Sequence, residues 1–301
     1  ATTGLLLTRN QREAESRRTA EYESTVRAAV IKLQVRPPTL EVAAGKAMRV
    51  KPYLIDSKDF QTEATGGSGD PAEQAAAELE AAARSIPERP DAHFQRARGL
   101  LLLGRSEEAK AALEQAIRAA PEFVPALVLH ASLVEKDGDR DAARREMEAV
   151  ERSGRAGWAK AWLAARQALE EGKWTEAAAA YGKLLEMERS EREPYLGSSI
   201  ELRMGRGLAR LEAKELTGAI EDLLAARWLA PLAHQPGLLL GKAYFLKGEE
   251  GEAERTFEEV LEQARREPSA RSADRVALGA VAIYHYHLRW EEALRWAASE
   301  R

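Results

Sequence analysis

The sequence predicts an all-α chain of tandem helix–turn–helix units stacked into a solenoid, and three observations predict it. Small and apolar residues recur at helical spacing, with no sustained alternation of period two. Helix formers dominate a composition that is 45% hydrophobic, 31% charged and 6% aromatic, enough to bury a core and keep a solvated face. An alanine–large–apolar signature also returns at a fixed period, and a period of this kind takes precedence over any short motif.

The clearest unit ends the repeating stretch. Leu240, Gly241 and Tyr244 share one face of a first helix, and Ala253, Phe257, Val260 and Leu261 share one face of a second, at spacings of three, four and seven that align side chains on a helix. Gly248 between them suits the left-handed conformation that closes a helix. Gly241 and Ala253 are small enough for the two helices to approach closely. The signature occurs at Ala109, Leu113, Ala116 and Pro121, then at Ala143, Met147 and Val150, then at Ala177, Tyr181 and Leu184, with steps of 34 residues (143 minus 109, 177 minus 143). It reappears at Ala219, Leu223, Ala226 and Pro231 after 42 residues and at Ala253 after 34 more, so about eight residues are inserted around 192–199. Gly104, Gly138 and Gly172 fall at the matching turns. Five units follow, at about 90–123, 124–157, 158–191, 200–233 and 234–267.

These residues resemble the tetratricopeptide repeat, whose period is about 34 residues. The resemblance implies a right-handed α-solenoid in which the first helix of each pair lines a concave groove. Its midpoint residues would be Phe94, Val128, Trp162, Met204 and Leu238, with Arg98, Ser132, Arg166, Leu208 and Lys242 one turn on. The expected partner-binding groove is therefore Phe94, Arg98, Val128, Ser132, Trp162, Arg166, Leu238 and Lys242. Its alternate basic residues would suit an acidic extended peptide or a terminal carboxylate. The alternative, that these cations only cover exposed surface, stays open. Members of the family that hold chaperone tails place asparagines beside the basic residues, and these helices have none. Trp162 is expected to face the groove. Trp174, Trp228, Trp290 and Trp296 are expected at or beside packing positions of second helices, because tryptophan buries a large apolar area. Trp158 stands at the entrance of its unit.

The flanks are less regular. Residues 1–12 read as the end of a transmembrane or linker segment or, equally, as an ordinary frayed terminus, since ATTGLLL at 1–7 is apolar but far short of the ~20 residues that span a bilayer. Residues 13–89 read as N-terminal helices and degenerate repeats. A helix over 9–35, which overlaps the start of this region, carries Tyr22, Val26, Ala29, Val30 and Leu33 on one stripe, and Pro37 and Pro38 stop it. A second helix is expected from Leu40 to about Val50 and a short one over Leu54–Ala64. GGSG at 66–69 breaks the chain, and Asp70-Pro71 opens a helix that runs to about Ser85. Residues 268–273 read as a loop and 274–301 as an incomplete repeat, with Val281, Tyr284, Trp290, Ala293 and Ala297 on its pattern. The order of an apolar end, an Arg/Glu-rich helix and repeats also resembles the C-terminal region of bacterial membrane-anchored serine/threonine kinases. That would imply a catalytic domain ahead of Ala1 and a sensor or docking role for this segment. The compartment would then be the membrane or its outer side, against the bacterial cytoplasm otherwise; Arg9, Arg12, Arg17 and Arg18 favour the cytoplasmic side.

Chemistry is not written in the chain. A net charge of −4 gives no basic footprint for nucleic acid. Cysteine is absent, which removes thiolate nucleophiles and cysteine metal sites. His285 and His287 are two apart and point away from each other on a helix; His93, His130 and His234 have no ligand-type partner at helical spacing. Gly237-Leu-Leu-Leu-Gly241-Lys242-Ala243 has the wrong glycine spacing for a phosphate loop and no Ser/Thr, and Gly205-Arg-Gly207 lacks a third glycine and a preceding strand. Close helix packing explains both better. No catalytic constellation, cofactor or metal is expected, and the reading is a non-catalytic scaffold that holds a protein or peptide partner.

Overall fold

The computed structural model describes residues 9–35, 39–41, 49–51, 71–190, 195, 198–231 and 233–266. They form twelve helices: α1 (Arg9–Val35), α2 (Pro71–Ser85), α3 (Pro90–Leu102), α4 (Ser106–Ala119), α5 (Val124–Lys136), α6 (Arg140–Arg152), α7 (Ala156–Glu170), α8 (Trp174–Ser190), α9 (Ser198–Glu212), α10 (Leu216–Leu229), α11 (His234–Lys247) and α12 (Glu250–Arg265). Each helix packs chiefly on its neighbour in sequence, so the architecture is an all-α solenoid of helical repeats.

The turns inside the pairs are built alike. Gly104, Gly138, Gly172 and Gly248 all have positive φ, between 72° and 97°. In each, the next residue's N–H reaches back five residues to close the helix: Arg105 to Leu100, Asp139 to Val134, Lys173 to Ala168 and Glu249 to Tyr244, at 2.8–2.9 Å. This pattern satisfies carbonyls that the helix end leaves open. The fourth pair makes the same bond, from Glu215 to Arg210, but places Lys214 in the left-handed slot, at φ 67°.

The second stripe of glycines works by absence of a side chain. A Cβ on Gly241 would lie 2.4 Å from the Phe257 ring, and one on Gly237 2.2 Å from Val260 Cγ2. A Cβ on Gly205 would lie 2.4 Å from the Tyr181 ring, and one on Gly207 2.9 Å from Leu223 Cγ. These are the close helix approaches the sequence implied. Between α9 and α10 the buried Asp222 carboxylate accepts from Arg206 at 2.6 and 2.8 Å and from Arg210 at 2.8 Å, a pairing that a buried charge requires.

The N-terminal helix joins the stack by its second half. Tyr22, Val26, Ala29, Val30 and Leu33 are buried with α2 residues such as Ala75 and Leu79. Tyr22 supplies what α3 lacks, since no side chain caps that helix: its hydroxyl accepts the Ala92 N–H at 3.0 Å. Arg89 stacks 4.9 Å from the Tyr22 ring centroid, and burial pushes the phenol upward, well above its ordinary range. The first half of α1, residues 11–21, is exposed throughout, and α1 also reaches α11.

Two expectations are corrected. Residues 40–50 are not one helix: Thr39–Glu41 and Arg49–Lys51 pair as an antiparallel ribbon with Leu40 opposite Val50. Pro37, Pro38 and Pro52 bracket the segment and favour extended chain at its two ends over a helix. Trp228 is not at a packing position, being 82% exposed on α10. The apolar end at 1–8, the short helix over 54–64, GGSG at 66–69, the loop at 268–273 and the incomplete repeat at 274–301 with Trp290 and Trp296 lie outside the described residues. Among the described residues, no helix is long and apolar enough to cross a membrane.

Candidate inner-wall binding site

The first helices α3, α5, α7, α9 and α11 carry the residues expected to line the groove. Their midpoint side chains are closed off: Phe94, Val128, Trp162, Met204 and Leu238 are all buried. One turn on, Ser132, Arg166 and Lys242 are half-buried, whereas Arg98 is 1% exposed. The eight residues that set the fourth unit apart supply a cause. They include Tyr195, itself buried, which sits edge-on to Phe94 at 4.9 Å and to Trp158 at 6.2 Å between ring centroids. Phe123 meets Phe94 edge-on at 5.6 Å, and Trp158 stacks on Trp162 at 6.0 Å. Such ring geometries contribute beyond the area they bury.

The basic row is therefore not a row of open cations. Arg98 donates to Gln95 Oε1 at 3.0 Å and to Glu201 of α9, 103 residues away, and its guanidinium lies 5.5 Å from the Phe94 ring and 5.7 Å from the Tyr195 ring. Tyr195 donates its hydroxyl to the other Glu201 oxygen at 2.7 Å. Arg166 stacks on Trp162 at 4.8 Å. Lys242 donates to Glu212 at 2.6 Å, and the Ser132 hydroxyl donates to the Val128 carbonyl at 2.9 Å. The structure thus brings Phe94, Arg98 and Trp162 into one cluster through Tyr195 and Trp158, and leaves Leu238 and Lys242 on the far helix α11.

Tyr195, Glu201, Phe123 and Trp158 were not among the residues expected at the site. The insertion was visible as a broken period, and an aromatic inside it was the available signal. The buried Trp158 indole N–H has no acceptor among the described residues, an arrangement that costs about 1–3 kcal/mol when unrelieved. No group of His, Asp and Glu among the described residues could hold a metal ion.

Residues 90–123, which are α3, α4 and the turn after them, match the family model described as Tetratricopeptide repeat. No curated protein matches the chain. Among solved structures the chain is similar to yeast Tom70, at 18% identity over 76% of this chain and 47% of that one with a TM-score of 0.47. It is similar to the Pseudomonas aeruginosa pilF protein, at 19% identity over 71% and 90% with a TM-score of 0.44. It is also similar to a tetratricopeptide repeat protein from Parabacteroides merdae, at 15% identity over 76% and 86% with a TM-score of 0.39. The chain spans less than two thirds of the yeast protein's length.

Proposed function

We propose, from the premise that this chain is a tetratricopeptide repeat protein, that it is a non-catalytic scaffold whose inner wall receives an acidic, aromatic-bearing segment of a protein partner. The observation that carries this reading is the way Tyr195 and Glu201 already occupy the wall. The insertion lays an aromatic ring against Phe94 and Trp158, and α9 presents a carboxylate to Arg98. A guest with those two groups would find the same complementary chemistry: a guanidinium fork for the carboxylate and ring faces for the aromatic. Of the expected groove residues, Phe94, Arg98 and Trp162 meet a guest once Tyr195 moves aside, and Ser132, Arg166 and Lys242 are reachable from solvent, while Val128 and Leu238 are buried. The Trp158 N–H is a donor such a guest would satisfy.

The kinase-arm arrangement has no support from the family model, which is a repeat model, and its apolar end lies outside the described residues. The scaffold reading is tested by presenting the immobilised chain with a displayed library of acidic peptides. Tyr195→Ala should retain aromatic-acidic peptides more strongly than the parent, and Arg166→Glu with Lys242→Glu should retain them less. Equal retention by all three would remove the inner wall as the binding surface.

A further inference from the structure

A second basic locus lies apart from the inner wall, on the other face of α3. Arg84 at the end of α2 and Arg118 at the end of α4 are 34 residues apart (118 minus 84), so they hold the same position on successive second helices. His93 and Arg96 project from α3 between them. Together with Glu80, Gln115, Ala83, Pro87 and Ala119 they line a cleft of about 530 Å³. The three guanidiniums are only loosely paired. Arg84 is 3.9 Å and Arg96 3.4 Å from Glu80, and Arg118 is 3.7 Å from Glu114, all longer than a charge-assisted hydrogen bond of about 2.7–2.9 Å. Two of them act on His93, whose pKa is held below its ordinary value by partial burial first and then by Arg96 and Arg118, against the opposing effect of a hydrogen bond to the Pro87 backbone.

We propose that this cleft binds a phosphoryl group. Three guanidiniums and an imidazole converge from three helices, against one lining carboxylate, Glu80. A phosphate monoester brings close to two negative charges and three acceptor oxygens, enough to engage three forks at once, where a carboxylate has one charge and two oxygens. The volume exceeds that of the phosphoryl group alone and leaves room for the stem it is attached to, within the usual size of small-ligand sites. A free phosphate ester and a phosphorylated side chain share this chemistry.

The groups that set the charge state are Glu80 and Arg84 on α2, His93 and Arg96 on α3, and Glu114 and Arg118 on α4. A bound phosphoryl anion offsets the two arginines that depress His93, so binding raises the imidazole pKa. The test is a titration of the full chain with inorganic phosphate, with a phosphoserine tripeptide and with the unphosphorylated tripeptide, read by the His93 ring resonances. It is repeated on Arg84→Gln/Arg118→Gln, both of whose side chains are mostly exposed so that folding is preserved. Phosphate or the phosphopeptide should shift the His93 titration upward, and the double variant should bind about tenfold or more weakly, the loss expected for hydrogen bonds to a charged group. Stronger binding of the phosphopeptide identifies a partner's side chain as the source, and stronger binding of phosphate a free small ester. No shift of His93 with either probe, or equal binding by the double variant, overturns the proposal.

Discussion

The seam between α8 and α9 and the seam between α6 and α7 do the same job in the repeat and are built differently. At the first, Gly205 lets α9 approach so closely that the Tyr181 ring fills the place of a Cβ, and α9 buries nine of its residues. At the second, α6 buries only Ala143 and Val150 and touches α7 sparingly. A solenoid holds together through neighbour interfaces, so a thin seam in mid-stack would be its weak point. The Arg98–Glu201 pair and the Tyr195 ring bridge over that seam, from α3 to the insertion and α9. What the chain lacks between adjacent units it makes up across the inner wall.

Removing the bridge should have the largest effect. Glu201→Ala leaves the Arg98 guanidinium buried without its carboxylate and should destabilise by about 3–5 kcal/mol, measured by denaturant unfolding. Overpacking the tight seam comes next. Gly205→Ala should lower stability by about 3 kcal/mol, whereas Gly157→Ala at the start of α7, where a Cβ meets only the flexible end of Met187 at 3.4 Å, should stay within about 1 kcal/mol of the parent. Gly157 faces α8, so similar losses at the two glycines would contradict the unusually close approach of α9 to Tyr181. Lys214→Gly relieves a left-handed conformation at a residue with a side chain and should stabilise by about 1 kcal/mol, seen as a rise in Tm. The smallest effect is that of pH. His93 has a folded pKa below its unfolded value, so the folded state binds fewer protons and stability falls as pH drops below the unfolded value of about 6.5 toward the folded one. His93→Gln should flatten that slope between mildly alkaline and mildly acidic denaturation curves.

Much of this was legible in the chain. The 34-residue period located the helix pairs, the four turn glycines and the glycines that allow close approach, because each depends on neighbours within one or two units. The stripe from Tyr22 to Leu33 marked the buried side of α1 for the same reason. Lys214 escaped because its slot is defined by the turn and not by its own side chain, and Trp228 because a bulky apolar residue on a second helix is usually covered. The Arg98–Glu201 pair could not be read. It depends on how small rotations at successive seams add up over 103 residues, and no local pattern records that sum. The anion cleft lay between: the 34-residue spacing of Arg84 and Arg118 was visible, but only the packing of α2, α3 and α4 brings His93 and Arg96 to the same place.

A double-mutant cycle on Arg98→Met and Glu201→Met tests the bridge most directly, by unfolding free energies of the parent, both single variants and the pair. The bridged wall predicts a coupling of about 1–3 kcal/mol between two residues three units apart, in the range seen for groups in contact. Additive losses, agreeing within about 0.5 kcal/mol as for independent sites, would contradict it.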